Sequence, residues 1–485
     1  SCAGRSKCSA IASMLALSPP EDPAFPYSQR EPTRGAMSSR PSRGKEHWND
    51  DPEKEHNMNF IMSDKPKRAR MKVLLALLRA AALSCGLIIG LAPLCLAEAE
   101  LNRQDQSLDA PSSRRPGAAR GALISAQPLN TAAALPSAAR NFLVLYNSRS
   151  PDDSDVVVSG TVSIPAGNPP AGGWPLITWT HGTTGLAPQC APSSDTVDGP
   201  EHTYLSATQA MLDAFVRHGY VVVATDYQGF GGAGVQAYLV GMGEARSAID
   251  IMRAARKVDL AVGTRYVVMG HSQGGQADLF TAAIGPDYAP EFTLLGNVAM
   301  APASHIGELV QEAVIGSHPS PILPFLTYML QSYAAYYPEI ALERILKPRA
   351  LEHLSDTLDG CIDDALAAGY WAESIPSHQF VTQPDLSPLL KAAVANEPGQ
   401  LRIVAPTLLI QGTSDRTIPP KNTDAVARDL CRVGNSVSYR TYPDASHEGV
   451  LDVARSDIEA WVNARFAGLE ATSNCDEPPS AAASR

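Results

Sequence analysis

The sequence predicts an α/β fold in which a mostly parallel sheet is covered by helices on both faces. Short apolar segments rich in β-branched residues alternate with segments that have a helical period, which is typical of parallel sheets. One apolar segment, 265–270, runs directly into the hexapeptide GHSQGG and then into a helical pattern. Residues 305–400 lack this alternation, and an insertion of that length in a compact domain is usually functional or a subdomain.

Composition places the chain among ordinary globular proteins. Of its 485 residues, 44% are hydrophobic and 18% are charged. The formal net charge is −11, yet the first 97 residues carry 14 Lys and Arg against 9 Asp and Glu, so the acidic excess lies in the rest of the chain. This excess argues against a nucleic-acid partner, because binding to the phosphate backbone requires a basic surface.

Three segments are predicted to precede the folded core. Residues 1–70 are rich in Pro, Ser, Arg and Glu, which indicates a disordered or non-native leader. Residues 71–97 follow a basic run, contain a long Leu/Ala/Ile stretch and end in Cys-Leu-Ala, so they are predicted to be a secretory signal peptide; an uncleaved signal anchor is the alternative. Residues 98–137 are rich in Ala, Pro, Ser and Arg and are predicted to be a flexible arm.

The core of the fold is predicted to consist of 138–304 and 401–475, followed by a disordered tail at 476–485. Residues 305–400 contain helical periods and many aromatic residues, which predicts a helical cap over the strand ends. The predicted strands share β-branched or aromatic residues and end at Gly, Pro or other turn residues. They are 141–148, 156–167, 174–182, 221–232, 265–270, 292–304, 405–412 and 436–443, with helices at 207–220 and 243–258 between them.

The GHSQGG segment predicts a nucleophile. Ser272 lies between Gly270 and Gly274 where a strand gives way to a helix, which is the pattern of a nucleophile elbow. The turn holds the serine hydroxyl away from the sheet, and the glycines let the strand and the helix approach each other. The alternative is a glycine-rich turn with a serine that caps the helix.

A serine hydroxyl needs a base, and the base needs a carboxylate to orient it. In this type of sheet the three residues are expected in the order Ser, Asp or Glu, His, each at a strand end. Asp415 follows the strand 405–412, and His447 follows the strand 436–443. We therefore predict that Ser272, Asp415 and His447 form a catalytic triad.

Other acidic residues near these positions are weaker candidates. Asp424 is expected within the helix that follows the turn, and Asp444 and Glu448 are too close to His447 in sequence to orient its ring. His271 is next to Ser272, but neighbours at a sharp turn point apart. We expect His271 to pack or to form a hydrogen bond beneath the turn.

A tetrahedral oxyanion also requires N–H donors. The backbone N–H of Gln273 begins the helix after the nucleophile and is predicted to be one donor. The second is predicted to be the N–H of Thr183 or Thr184, which follow the strand 174–182 in the segment HGTTG. An ordinary glycine turn is the alternative for this segment.

Four of the eight cysteines follow residue 97: Cys190, Cys361, Cys431 and Cys475. An even number in an exported chain predicts two disulfides, and three connectivities are possible. The sequence has no CxxC motif and no Cys/His spacing typical of a zinc site, so no metal is predicted.

Together the segments GHSQGG, HGTTG, TSDRTIP and SHEG resemble the α/β-hydrolase superfamily, and residues 138–475 are similar to the secretory lipase family. The more specific features are APQCAPS, the large insertion between nucleophile and acid, and a cysteine after the last helix. The resemblance implies a lipase or carboxylesterase with disulfides pairing Cys190 with Cys361 and Cys431 with Cys475. Ester hydrolysis by a serine nucleophile requires no metal and no organic cofactor, so no cofactor is predicted.

The predicted function is that of a secreted or periplasmic serine hydrolase that cleaves carboxylic esters or lipids through an acyl-enzyme. The apolar segment 322–340 is a candidate for contact with a lipid–water interface, and packing of this segment on the body is the alternative. Two other functions stay open: a serine peptidase of the same fold and a non-catalytic binding protein of that fold. The sequence determines neither the acyl chain length nor the oligomeric state.

Protein recovered from the medium or the periplasm should begin near Glu98, because a basic start, an apolar stretch and a small-residue cleavage site occur together only before that position. N-terminal sequencing measures this directly. A mature chain that begins before Met71 would contradict the prediction.

Overall fold

The computed structural model describes residues 119–232 and 234–477, and within these ranges nine strands form one mixed sheet. The sheet has the spatial order β1-β2-β3-β5-β4-β6-β7-β8-β9; the pairs β1–β2, β2–β3 and β3–β5 are antiparallel and the others parallel. The predicted α/β fold class is confirmed. The strands are β1 Leu123–Pro128, β2 Ala138–Arg149, β3 Asp155–Pro165, β4 Trp174–Thr180, β5 Val221–Gln228, β6 Val262–His271, β7 Thr293–Met300, β8 Thr407–Gly412 and β9 Val437–Tyr442.

Helices connect the parallel strands and form the insertion. In the two described ranges, none of them is both long and apolar enough to cross a membrane. They are α1 His202–Arg217, α2 Gly241–Val258, α3 Gln273–Tyr288, α4 Ile306–Ile315, α5 Ile322–Tyr336, α6 Pro348–Glu352, α7 Ile362–Leu366, α8 Tyr370–Glu373, α9 Ser387–Ala395, α10 Pro420–Arg432, α11 Val450–Val453 and α12 Arg455–Phe466.

The parallel strands bury apolar side chains on both faces. In β8, Leu409 belongs to a core cluster that includes side chains of α2 and α10, whereas Leu408 and Ile410 belong to a second cluster that includes side chains of α1 and α12. Successive residues of a strand point to opposite faces, so a continuous apolar run is what a strand covered on both sides requires.

The prediction that residues 98–137 form a flexible arm is wrong for the last part of this segment. Leu123–Pro128 forms β1, which pairs antiparallel with β2 at the edge of the sheet, and Leu129 and Leu135 are buried. Most side chains of β1 are exposed, so this edge strand is held by backbone hydrogen bonds and has little apolar alternation to reveal it. The predicted leader 1–70, the signal peptide 71–97, residues 98–118 and residues 478–485 lie outside the described residues.

The insertion is helical and has an apolar core. Its helices run from Ile306 to Ala395, and they share one buried cluster with Tyr238, Leu239 and Ile418 of the α/β core. The longest of them, α5, buries much of the segment that is a candidate for interface contact, including Tyr328 and Tyr333. The insertion therefore packs as a cap on the body through this helix.

Two disulfides fasten the outer elements. Cys190, after β4, is joined to Cys361 at the start of α7, and Cys431 of α10 is joined to Cys475. Both pairs agree with the connectivity that the family resemblance implies. Next to the first disulfide, the N–H of Ile362 donates a hydrogen bond to the carbonyl oxygen of Thr184 at 3.0 Å, so the cap is tied to the segment that follows β4.

Replacing Cys190 and Cys361 together by alanine should lower the free energy of unfolding by about 2–5 kcal/mol. The pair Cys431 and Cys475 should contribute about 1 kcal/mol less, because its sequence separation is 44 residues against 171 and the closed loop is shorter. Urea unfolding of both double variants and of the wild type measures this. Equal midpoints for all three proteins would contradict the prediction.

Candidate active site

Ser272 has a strained backbone at the junction of β6 and α3. Its φ of 59° and ψ of −120° are unusual for a residue with a side chain, and such a conformation costs about 1–3 kcal/mol. The surrounding backbone holds it in place: the N–H of Ser272 donates to the carbonyl oxygen of Met300 at 2.9 Å, and its carbonyl oxygen accepts from the N–H of Ala303 at 3.0 Å. The geometry is that of a nucleophile elbow.

Gly270 and Gly274 are required by close backbone contacts. A Cβ at Gly270 would lie 2.1 Å from the carbonyl oxygen of Gly274, and one at Gly274 would lie 2.0 Å from that of Thr180. The Thr180 hydroxyl in turn donates to the Gly274 carbonyl oxygen at 2.8 Å. The end of β4 is thus pressed against the elbow, which places the segment after β4 beside Ser272.

Asp415 and His447 form a hydrogen-bonded pair. Asp415 follows β8, His447 follows β9, and the Nδ1 of His447 lies 2.7 Å from the Oδ2 of Asp415. The other carboxylate oxygen, Oδ1, accepts from the N–H groups of Thr417 and Ile418, both at 2.9 Å. These contacts hold the buried carboxylate in one orientation, so that Nδ1 of His447 carries the proton and Nε2 is free to accept one.

The carboxyl group of Asp415 is ionised at neutral pH. Burial by itself raises its pKa, but the hydrogen bond and charge of His447, the N–H of Ile418 and the amide of Gln411 outweigh burial, and the pKa lies below its usual value. A negative charge at this position stabilises the imidazolium form of His447.

His447 lies directly beside the elbow. Its ring centroid is 4.5 Å from that of His271, and its carbonyl oxygen accepts a hydrogen bond from the Nε2 of His271 at 2.9 Å. Since His271 precedes Ser272, the structure brings all three predicted triad residues to the same edge of the sheet. The prediction that His271 packs or bonds beneath the turn agrees with these contacts.

Of the predicted oxyanion donors, Gln273 and Thr183 line one cavity with Ser272, and Thr184 does not. The N–H of Gln273 begins α3 and so has no intrahelical acceptor. In the described part of the chain, no carbonyl accepts a hydrogen bond from the N–H of Thr183. Because Thr183 and not Thr184 lines the cavity with Ser272, Thr183 is the better of the two candidates.

The cavity above Ser272 is largely apolar. The space between its lining side chains is about 410 Å³ with open solvent included, and both the cap and the core contribute to its wall. From the cap come Ile306, Leu309, Ile322, Phe325, Leu326 and Met329, and from the core Thr183, Tyr238, Leu239, Ser272, Gln273, Ala303, Thr417 and Ile418.

Sequence reasoning missed two polar residues at this cavity: Tyr238 lines it, and Glu244 contacts Gln273 and Leu239 of its wall. Tyr238 shares a hydrogen bond of 2.9 Å with the hydroxyl of Thr183. Glu244 accepts from the side-chain amide of Gln273 at 2.6 Å and from the N–H of Leu239 at 3.1 Å. Burial raises the pKa of Glu244 to about 8, so it is neutral at pH 7. Both residues are remote from the motifs in sequence, and no local pattern could have identified them.

The competing acids lie elsewhere. Asp424 is within α10, where its carboxylate accepts a hydrogen bond from the hydroxyl of Tyr439 at 2.6 Å, and Asp444 is exposed in a turn. Among the residues at 119–232 and 234–477, no group of three or more His, Cys, Asp or Glu side chains could hold a metal ion.

A family model described as secretory lipase matches residues 201–474, which is more than half of the chain. The chain belongs to the secretory lipase family. The resemblance noted in the sequence is therefore confirmed. The match begins just before α1 and includes Ser272, Asp415 and His447.

The curated relatives are named as lipases and are distant from this chain in sequence. A secreted triacylglycerol lipase of Malassezia globosa is 24% identical over 308 residues, which is 60% of this chain and 65% of the relative. Lipase 6 of Candida albicans is 26% identical over 314 residues, 59% of this chain and 64% of the relative. The chain thus spans slightly less than two thirds of the length of these relatives.

Solved structures show the same fold at low sequence identity. Candida antarctica lipase A in its closed state has a TM-score of 0.66 and 18% identity, over 77% of this chain and 88% of that one. The rice cell wall degrading esterase LipA of Xanthomonas oryzae has a TM-score of 0.58 and 21% identity, over 72% and 98%. At these identities the likeness establishes the α/β-hydrolase fold alone.

A fluorophosphonate should label Ser272 covalently, and the rate should depend on the Asp415–His447 pair. His447→Ala should slow labelling about a thousandfold or more, because the proton of the serine hydroxyl then has no acceptor. Asp415→Ala should be milder, and the double variant should be little slower than His447→Ala, since Asp415 acts only through the histidine.

Labelling rates are measured by intact-protein mass spectrometry, and the labelled peptide identifies the residue. Asp424→Asn is the matched control: it alters a buried carboxylate that contacts Tyr439 and should leave the rate unchanged. Labelling at another serine, or a normal rate in His447→Ala, would contradict the assignment.

Proposed function

We propose that this protein is a secreted serine hydrolase that cleaves carboxylic esters, as a lipase or carboxylesterase. The single observation that supports it most strongly is the Asp415–His447 pair at the strand ends, next to a strained Ser272 that opens into an apolar cavity. This arrangement contains a nucleophile, a base and an orienting carboxylate, which are the parts that acyl transfer needs.

In the first half of the reaction, the Oγ of Ser272 attacks the acyl carbon and its proton moves to the Nε2 of His447. The resulting oxyanion accepts hydrogen bonds from the N–H groups of Gln273 and Thr183. The bond from the acyl carbon to the alcohol oxygen then breaks, and His447 protonates the departing alcohol. An acyl-enzyme on Ser272 remains.

In the second half, water attacks the acyl carbon while His447 accepts its proton. The bond to the Oγ of Ser272 breaks, the proton returns to Ser272, and the carboxylic acid leaves. Asp415 stays ionised throughout and stabilises the imidazolium form of His447 in both halves. None of these steps requires a metal or an organic cofactor.

The substrate is an ester with an apolar acyl group. The cap side chains Leu309, Phe325 and Met329 form an apolar wall opposite the elbow, which favours a hydrocarbon chain over a polar group. The name of the Malassezia globosa relative refers to triacylglycerols. Because α5 buries most of its apolar residues, contact of the cap with a lipid surface would use its exposed apolar side chains, which are Ile315, Leu358, Leu366 and Val394.

Export to the medium or the periplasm fits the same function. The two disulfides are typical of proteins that fold in an oxidising compartment. The Malassezia globosa relatives are named as secreted. The predicted signal peptide at 71–97 would provide the route.

Purified protein should hydrolyse 4-nitrophenyl esters from acetate to palmitate, with kcat/KM increasing from acetate to a chain of intermediate length as the acyl group fills the apolar cavity. Absorbance of released nitrophenol measures the rate. Ser272→Ala should lower kcat by at least about a thousandfold at every chain length.

A proline 4-nitroanilide in the same assay tests the peptidase alternative, and triolein emulsions separate a lipase from a carboxylesterase. Cleavage of the anilide without cleavage of any ester would overturn the proposed function. Inactivity towards every substrate would favour a non-catalytic binding protein; a Mycobacterium tuberculosis relative of this chain is named "Probable inactive lipase".

A further inference from the structure

A chain of buried and partly buried hydrogen bonds connects the segment after β4 with the loop that carries His447. The N–H of Gly182 donates to the hydroxyl oxygen of Tyr204 at 2.8 Å, and the Tyr204 hydroxyl lies 3.2 Å from the Nδ1 of His271. The Nε2 of His271 lies 2.9 Å from the carbonyl oxygen of His447. Gly182 directly precedes Thr183, so the chain links an oxyanion donor to the catalytic base.

Each donor and acceptor along this chain has a defined role. The carbonyl oxygen of His447 can only accept, so the Nε2 of His271 must carry a proton. Burial, together with the nearby charge of His447, lowers the pKa of His271 to about 3, so its ring is neutral and its Nδ1 is an acceptor. The Tyr204 hydroxyl therefore donates to Nδ1 and accepts from Gly182, which uses both of its functions.

Glycine at position 182 leaves room for the hydroxyl of Tyr204. A Cβ at residue 182 would lie 2.4 Å from the Tyr204 hydroxyl oxygen and 3.2 Å from the carbonyl oxygen of His271, so only glycine lets the phenol approach. Tyr204 lies near the start of α1, and its ring centroid is 5.7 Å from that of His271. The segment after β4, the end of β6 and α1 thus meet at the side chain of Tyr204.

We propose that Tyr204 and His271 are positioning residues that hold the Thr183 N–H and the imidazole of His447 in fixed positions relative to Ser272. The inference rests on the proposed function, and it adds to the triad two residues that touch neither the substrate nor the reacting atoms. Tyr204 positions the oxyanion segment through Gly182, and His271 positions the loop of His447 through its backbone carbonyl.

Removing either residue should affect the transition state more than substrate binding. With 4-nitrophenyl butyrate as substrate, Tyr204→Phe and His271→Phe should each lower kcat about tenfold to a hundredfold, because small displacements of catalytic groups have effects of that size. KM should stay within about twofold of the wild-type value. The double variant should be little slower than the slower single variant, since both residues act through one chain.

Two further variants separate positioning from loss of stability. Tyr220→Phe removes a hydroxyl that donates to Asn463 at 2.6 Å from an equally buried tyrosine outside the site, and its kcat should be unchanged. His271→Gln keeps an N–H donor for the His447 carbonyl oxygen and should recover part of the activity lost in His271→Phe. Normal kcat in Tyr204→Phe, with a fall in melting temperature like that of Tyr220→Phe, would overturn the proposal.

A measurement without substrate separates this inference from the proposed function. In ¹⁵N-histidine NMR spectra, His271 should keep its proton on Nε2 from pH 5 to pH 9, and its Nδ1 resonance should shift in Tyr204→Phe. Titration of His271 within that range, or a proton on Nδ1, would overturn the hydrogen-bond chain. If the protein cleaves no ester but His271 has this tautomer, the proposed function is overturned while the hydrogen-bond chain is supported.

Discussion

The strained backbone of Ser272 is the constraint on which the rest of the site depends. A positive φ at a residue with a side chain persists only where neighbouring contacts enforce it. Here the carbonyl oxygen of Met300 accepts a hydrogen bond from the N–H of Ser272, and the N–H of Ala303 donates one to the carbonyl oxygen of Ser272. Because Gly270 and Gly274 have no Cβ, Thr180 can lie close against the turn. Three neighbouring strand ends, those of β4, β6 and β7, therefore cooperate to present one hydroxyl.

The parallel sheet extends this arrangement to the acid and the base. β8 and β9 follow β7 in the same direction, so the residues after them reach the same edge as the elbow. Asp415 is held there by two N–H groups of its own loop, and it in turn orients His447. His271 and Tyr204 then connect this side of the site with the segment after β4. The functional groups are thus supported from both sides by hydrogen bonds rather than by side-chain packing alone.

The cap forms one side of the cavity that contains Ser272. It contributes the apolar half of the cavity wall, while the core contributes the polar groups close to the nucleophile. The cap shares a buried cluster with Tyr238, Leu239 and Ile418 of the core, and the Cys190–Cys361 disulfide joins it covalently to the segment that contains Thr183. In the proposed reaction, binding of the acyl group and stabilisation of the oxyanion would therefore both depend on the segment after β4.

The sequence by itself determined the features that have a local signal. Alternating apolar and helical periods predicted the parallel sheet, and the turn chemistry around Ser272, Asp415 and His447 placed each of them just after a strand. These signals are local, because a strand or a strained turn restricts which residue types can occupy its own positions. Only the tertiary structure distinguished Thr183 from Thr184, since both follow the same strand and the difference is which one faces the cavity.

Tertiary contacts also decided what no local pattern contains. β1 is held by backbone hydrogen bonds at an edge where its side chains stay exposed, so its composition resembles that of a linker. Tyr204 and Glu244 are ordinary residues of amphipathic helices until the fold brings them beneath His271 and Gln273. A buried polar group acquires its role from partners that are distant in the chain, and the sequence encodes those partners only through the packing of the whole domain.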